Sequence, residues 1–377
     1  MSFAIVKLGE VCEIKRGTTI TQKNAVEGNV PVVAGGIKPT YYHNSPNRTG
    51  KTITISGSGA NAGYVNFWDI PIFASDCSTV QVNRKDLSID YVHYFLLSKQ
   101  DYIYKELRSG AAQPHVYGKD IANIEIALPS LATQQKIVQK LDSIFAEIDR
   151  ATVATEANVK NAEALFQSYL TEVFERNGEG WLVEKIGNIC TLRSGTTVDV
   201  KLEKPVGELP YLKVADMNLD VNKKSITSSS RFLDLCDVGV KSIIRKGSTI
   251  FPKRGGAIDT NKKRITDVDI AIDLNLMSIF PSEKLNSQLL YYYFLSIDMK
   301  KLGSGSSIRQ INNYDIEPLV INFPKSLEEQ AGIVKNISYL NERCACLKIN
   351  FLDKLENLAL MKQSILKQAF NGELVKE

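Results

Sequence analysis

Lys7-Leu8-Gly9-Glu10-Val11-Cys12-Glu13-Ile14-Lys15-Arg16-Gly17-Thr18-Thr19 returns later in the chain as Lys185-Ile186-Gly187-Asn188-Ile189-Cys190-Thr191-Leu192-Arg193-Ser194-Gly195-Thr196-Thr197, a constant 178 positions on. Phe3 lands on Trp181 at the same offset. A second match, Leu131-Ala132-Thr133-Gln134 with Ile137-Val138, returns as Leu327-Glu328-Glu329-Gln330 with Ile333-Val334, now 196 positions on and without a gap as far as Phe174 and Phe370. The chain is therefore two copies of one unit, approximately 1–178 and 179–377, with similar ends around a divergent middle. The larger second offset places extra residues inside the first part of the second copy.

The gapless segment carries a helical period. Leu141, Phe145, Ile148, Thr152, Thr155, Val159, Ala162, Phe166, Tyr169 and Val173 alternate steps of four and three, as do Leu340, Cys344, Leu347, Phe351, Leu355, Leu358, Met361 and Ile365. That is a heptad seam. Each stretch reads as one helix of about 40 residues, roughly 60 Å long at 1.5 Å per residue. The simplest way to bury both seams is an antiparallel coiled coil between the two helices.

Before each helix the pattern changes to short β-branched and aromatic runs divided by Gly, Pro and Asn: Val30 to Ala34, Thr52 to Ser56, Gly63 to Trp68, Thr79 to Asn83, Ser248 to Phe251 and Ile121 to Leu128. One helix is expected in each copy, Ile89 to Lys105 and Ser287 to Lys301. A small loop follows, Ser109 to His115 and Ser304 to Gln310, and then an Asp-Ile pair, Asp120-Ile121 and Asp315-Ile316. The expected fold class is α+β: two mixed domains at 1–130 and 179–326, separated by long helices at 131–178 and 327–377, arranged as a pseudo-twofold repeat. Because Phe370 to Val375 resembles the segment from Phe174 to Val183, the chain end is expected beside the first domain.

Bulk composition narrows the class without naming a partner. With 44% hydrophobic and 23% charged residues the 377-residue chain has an ordinary globular make-up, and its net charge of +4 permits nucleic-acid binding without demanding it. Six cysteines without a C-x-x-C pair, and only three histidines, do not make a zinc framework. No leader and no bilayer-length apolar run is read, so a cytoplasmic protein with reduced thiols is expected, without membrane partners. There is no Asn-Pro-Pro-aromatic or Asp-Pro-Pro-aromatic motif, no phosphate-binding loop and no nucleophile elbow. No catalytic residues and no metal ligands are assigned.

The order of these features, twice over, resembles the specificity subunits of type I restriction-modification systems, the HsdS family. The resemblance rests on the Gly17-Thr18-Thr19 opening, the loop before the Asp-Ile pair, the Leu327-Glu328-Glu329-Gln330 entry and the distal run Met361 to Val375, and it covers essentially the whole chain. It implies a non-catalytic reader of bipartite double-stranded DNA. Its implied partners are two modification (methyltransferase) subunits, with restriction (ATP-dependent translocase and endonuclease) subunits able to join. It implies no cofactor in this chain, S-adenosylmethionine being expected on the methyltransferase subunits. Two domains held apart by stiff helices would read half-sites at a set separation.

Candidate DNA contacts follow from side-chain chemistry, since cations meet phosphates while Arg, Gln and Asn pair with base edges. In the first copy they are Lys38, Tyr41, Tyr42, Arg48 and Lys51 in a basic, aromatic loop; Ser58 and Asn61 in the glycine hairpin Ser56 to Tyr64; and Gln113 and His115 in the last loop. In the second they are Lys253 and Arg254 beside Gly255, the run Asn261, Lys262, Lys263 and Arg264, and Arg309 and Gln310. Gly59 and Gly255 are read as equivalent. Each candidate has a structural counterpart reading: solvated charged turn, tyrosine-rich surface loop or loop cap. His43, His93 and His115 have the counterpart reading of structural or solvated histidines, without a metal. The apparent G-x-G-x-x-A at Gly57 is not a dinucleotide site, because Tyr64 to Trp68 reads as a strand where that fingerprint needs a helix. A specificity chain of another class of methylating restriction enzyme, a tandem-repeat coiled-coil scaffold binding only proteins, and a duplicated enzyme are the alternatives.

Overall fold

The computed structural model describes residues 3–110, 112–303 and 309–374. The chain divides into residues 1–156 with 353–377, and residues 157–352. In the first unit Ala4–Lys7 pairs antiparallel with Glu125–Leu128. The strand Glu13–Arg16 then edges a four-stranded antiparallel sheet whose next members are Cys77–Gln81, Thr52–Ser56 and Val65–Trp68. A small sheet sets Val30–Val33 between Tyr42–His43 and Phe73–Ala74, the latter parallel.

The second unit repeats this plan. Trp181–Lys185 pairs with Val320–Pro324. Cys190–Ser194, Leu276–Pro281, Thr249–Pro252 and Arg264–Thr266 form the main sheet, and Leu209–Leu212 lies between Phe232–Leu233 and the parallel Ala271–Ile272. The extra residues of this copy can now be placed. Val30 corresponds to Leu209, an offset of 179, and Ile53 to Thr249, an offset of 196, so the insertion lies between those two strands. It contributes a fifth strand, Ser225–Ile226, parallel to Arg264–Thr266.

The repeated sequence motifs have local physical causes. At the glycine of Gly-Thr-Thr the chain leaves the main sheet: Gly17 donates its amide to the Cys77 carbonyl while Thr18 donates to Ala74 of the small sheet. Gly195 and Thr196 do the same toward Leu276 and Ile272. A Cβ at Gly17 would stand 2.1 Å from the Ser75 carbonyl oxygen, and one at Gly195 would stand 2.0 Å from that of Asp273, so no larger residue fits without moving backbone.

Gln134 and Gln330, the last residues of the second motif, are fully buried. Each joins the start of a long helix to its own domain. Gln134 accepts from the Ser88 amide at 2.9 Å and donates to the carbonyls of Asp86 and Pro129. Gln330 accepts from Asn286 at 2.7 Å and donates to Lys284 and Pro324. Ser88 and Asn286 are themselves the N-caps of the domain helices Ile89–Ser98 and Ser287–Ser296.

The long helices run Leu131–Glu175 and Leu327–Phe370, 45 and 44 residues. Within the first unit Ile137, Leu141 and Ile148 share a core with Ile365, Leu366 and Ala369. Lys140 donates to the Leu374 carbonyl at 2.8 Å while Lys362 pairs with Asp149, so the two segments run antiparallel there. Within the second, Leu170, Val173 and Phe174 share a core with Ile337, and Lys348 pairs with Glu163. The last turn of the second long helix packs on the first domain, Phe370 lying edge-on to Phe95 with ring centroids 5.5 Å apart.

Three expectations are corrected. Leu347 and Met361 are 43% and 50% exposed; Lys348 and Lys362 take their places on the seam, Lys362 lying over the Phe145 ring at 5.2 Å. A long aliphatic stem can cover a partner helix while its ammonium reaches a carboxylate at the rim. Ile121 lies in a helical turn, Gly118–Ala122, and the final strand begins at Glu125. The domain helices end at Ser98 and Ser296, followed by Gln100–Tyr102, a π turn at Ile103–Leu107 and a 3-10 turn at Met299–Lys301. Ala111, Ser304 to Ile308 and Val375 lie outside the described residues.

Candidate nucleic-acid interface

Each unit presents one loop at the same end of its main sheet, immediately after the strand Thr52–Ser56 or Thr249–Pro252. Ser58 forms a β-bridge with His115, and Arg254 forms one with Gln310. Gly59 donates its amide to Pro114, and Gly255 to Arg309, at 3.0 and 2.8 Å. Both glycines are in the left-handed region, φ 82° and 63°, with open space where a Cβ would project. Gly59 and Gly255 are thus equivalent, and two loops far apart in sequence are locked into one apex. The loop from 57 to 64 is longer than a tight hairpin and leads into the strand Val65–Trp68. From below, Arg108 supports the first loop, donating to the Ala62 carbonyl at 2.6 Å and stacking 4.1 Å over Tyr104.

The side chains at this shared apex differ. In the first unit Ser58 donates its hydroxyl to Asp76, and the His115 ring stacks on Tyr117 at 6.2 Å. In the second, Arg254 is exposed and has no side-chain partner among the described residues. Lys253 beside it donates to the Ser194 hydroxyl at 2.7 Å. Burial and the neighbouring Arg254 charge together push the Lys253 amine below its ordinary range. Arg309 makes a surface ion pair with Asp259 at 2.8 Å, and Gln310 donates to Asn312. Such an exposed pair contributes little to stability.

Other candidates join the first apex less directly. Exposed Lys38 belongs to a loop that abuts it, since Gly35 lies against the Ser58 carbonyl and Ile37 accepts from Asn66. Tyr42 is exposed, whereas Tyr41 donates its hydroxyl to the Ile20 carbonyl at 2.6 Å. Asn61 is half-buried in the glycine loop and Gln113 is exposed in the last loop. Lys51 sits at the other end of the strand, bonded to Asp90.

Four candidates are engaged within the fold. Arg48 spends its guanidinium on Thr79, Asn47 and Arg16. Lys263 is 2% exposed, and Arg264 donates to the carbonyls of Asn222 and Lys263. Asn261 adopts φ 53° and accepts from the Met299 amide. Lys262 is half-buried and donates to Asn218, so the run is not one solvated charged turn. His43 accepts from the Val26 amide, and burial lowers His93 to about 4 between Phe67 and Tyr94. Both are structural.

Arg16, Asp76, Tyr117 and Lys119 were not singled out from the sequence. They line a cleft of about 350 Å³ with Gly57 and His115. Arg16 stood inside the repeated motif, but its counterpart is Ser194, and the repeat drew attention to what the copies share.

Residues 2–160 and 178–357 each match the type I restriction modification DNA specificity domain. The chain belongs to this family. Among proteins similar to this specificity-domain chain is the type I restriction enzyme MjaVIII specificity subunit of Methanocaldococcus jannaschii, 24% identical over 85% of this chain and 79% of that one. A chain solved in work on complex assembly and conformational transition of the type I R-M system shares the fold, with a TM-score of 0.77 at 20% identity over 99% of this chain and 98% of that one. The HsdS subunit from Thermoanaerobacter tengcongensis gives a TM-score of 0.58 at 21% identity, over 99% and 97% of the two chains. No described helix is long and apolar enough to cross a membrane.

Proposed function

We propose that the chain reads a bipartite double-stranded DNA target, one half-site by residues 1–130 and the other by residues 179–326. It supplies recognition and no catalysis. Residues 131–178 and 327–377 fix the half-site separation and dock two modification (methyltransferase) subunits, where S-adenosylmethionine is held. Restriction (ATP-dependent translocase and endonuclease) subunits are able to join the same assembly, and the complex works in the cytoplasm.

The observation that carries this reading is the apex built on one backbone in both units with different side chains on it. Arg254 and Lys253 offer donors, which suit guanine acceptors and phosphate. Ser58 and Asp76 offer acceptors, which suit the amino groups of adenine or cytosine. A scaffold binding only proteins would give no reason to hold the frame and change the chemistry at that point.

Mapping of methylated bases in cells with and without this chain gives the target directly. Exchanging residues 179–326 for those of another family member is expected to change one half-site and leave the other. Two unchanged half-sites would end the modular reading.

A further inference from the structure

We infer that each unit grips one DNA phosphate at the same point of its frame, using a cation that the two units supply from different strands: Arg16 in the first and Lys253 in the second. The inference rests on the DNA-reading function proposed above. It begins with register. Arg16 lies opposite Ser78 and Ser194 opposite Met277, each one residue before the glycine that leaves the sheet, so positions 16 and 194 are equivalent. Ser56 lies opposite Cys77 and Pro252 opposite Leu276, so Gly57 and Lys253 share the next position. Both donate their amides to the matching carbonyls of Asp76 and Asn275.

These two positions flank the middle strand from opposite sides. In the first unit position 57 has no side chain, and Arg16 lines the cleft beside it. In the second unit position 194 is a short serine, and Lys253 reaches across to its hydroxyl at 2.7 Å. The long cationic side chain has changed strands while the charge has stayed between the same two backbone positions. The Arg16 guanidinium is exposed and has no partner among the described residues. Lys253 stands beside a second cation, Arg254, a repulsion that an anion between them would relieve.

Phosphate fits this position better than a base edge does. A phosphate accepts a lysine as a point charge as well as an arginine fork, whichever side it comes from, whereas reading a base depends on the direction of approach. Ser58 and Arg254, the next residues along, are then the ones free to differ with sequence.

The test titrates the full-length chain with a fluorescein-labelled random-sequence duplex at increasing salt. Lys253→Ala is expected to weaken binding roughly tenfold and to lower the slope of log K against log salt by about 0.9. Adding S194R to that variant returns the cation by the first unit's route and restores both quantities. Arg16→Ser, in the other unit, should cause the same loss as Lys253→Ala. An unchanged salt slope in both single variants overturns the inference, as does failure of S194R to restore binding in a protein that keeps the wild-type unfolding midpoint. A wild-type chain that binds no duplex at any salt would strike the DNA-reading function itself.

Discussion

Lys263 has 2% of its surface exposed, and its ammonium donates to Asn261 at 2.7 Å and to the Ile297 carbonyl at 2.6 Å. Through Asn261, which accepts from the Met299 amide, it ties the segment after the second apex to the end of the domain helix. Burial pulls its amine from the ordinary 10.5 to about 8, with Asp298 opposing the shift. Below that value both folded and unfolded chains carry the proton and the burial penalty is constant. Between about 8 and 10.5 the folded chain releases the proton while the unfolded chain keeps it, so stability rises with pH across that window. Relative to Lys263→Met, the second unit of the wild-type chain should gain up to roughly 3 kcal/mol, read from denaturant midpoints at successive pH values. Parallel curves for the two proteins would refute this. The residues around Lys263 show why charge in a sequence is a poor guide to surface: Arg48 and Arg264 also reached inward, because buried carbonyls need donors and an arginine satisfies two or three at once.

At the level of elements, the joints carry as much information as the helices and strands they connect. Gln134 satisfies three backbone groups at the entry to the central helix, among them the amide of the N-cap Ser88. Gln134→Leu keeps the volume and orphans all three, so a loss of about 2–3 kcal/mol in the first unit is expected. Hydrogen exchange should show this as faster exchange across Ile89–Ser98, with the matching helix Ser287–Ser296 unaffected; equal protection in variant and wild type would remove the clamp's importance. The helices themselves were legible from period alone, since Leu141, Ile148, Thr155 and Ala162 are all buried as the seam requires. The exchange of Leu347 and Met361 for Lys348 and Lys362 was not legible, because a hydrophobicity pattern gives a lysine stem no apolar credit. Polar residues on a seam tend to fix its register at some loss of stability.

For the whole molecule, both long helices contribute to both units, residues 131–156 and 353–370 to one and 157–175 and 327–352 to the other. If helix length sets half-site spacing, as proposed, inserting one heptad after Glu156 and another before Asp353 keeps the seam in phase and adds roughly 10 Å. That is about three base pairs, so the methylated target should gain a spacer of that length. Insertions of four residues rotate the seam and should abolish binding instead. An unchanged spacer in a protein that still methylates would refute the helix as ruler. By itself the sequence determined the duplication, the two long helices and the placing of a strand-rich domain before each, because periodicity and repeated motifs are written locally along the chain. Only the tertiary structure decided which side chains share an apex. Ser58 meets His115, and Arg254 meets Gln310, through β-bridges between segments more than fifty residues apart, and the cation beside each apex comes from whichever strand had room for it. Such pairings depend on sheet register and on available space, neither of which any single stretch of the sequence contains.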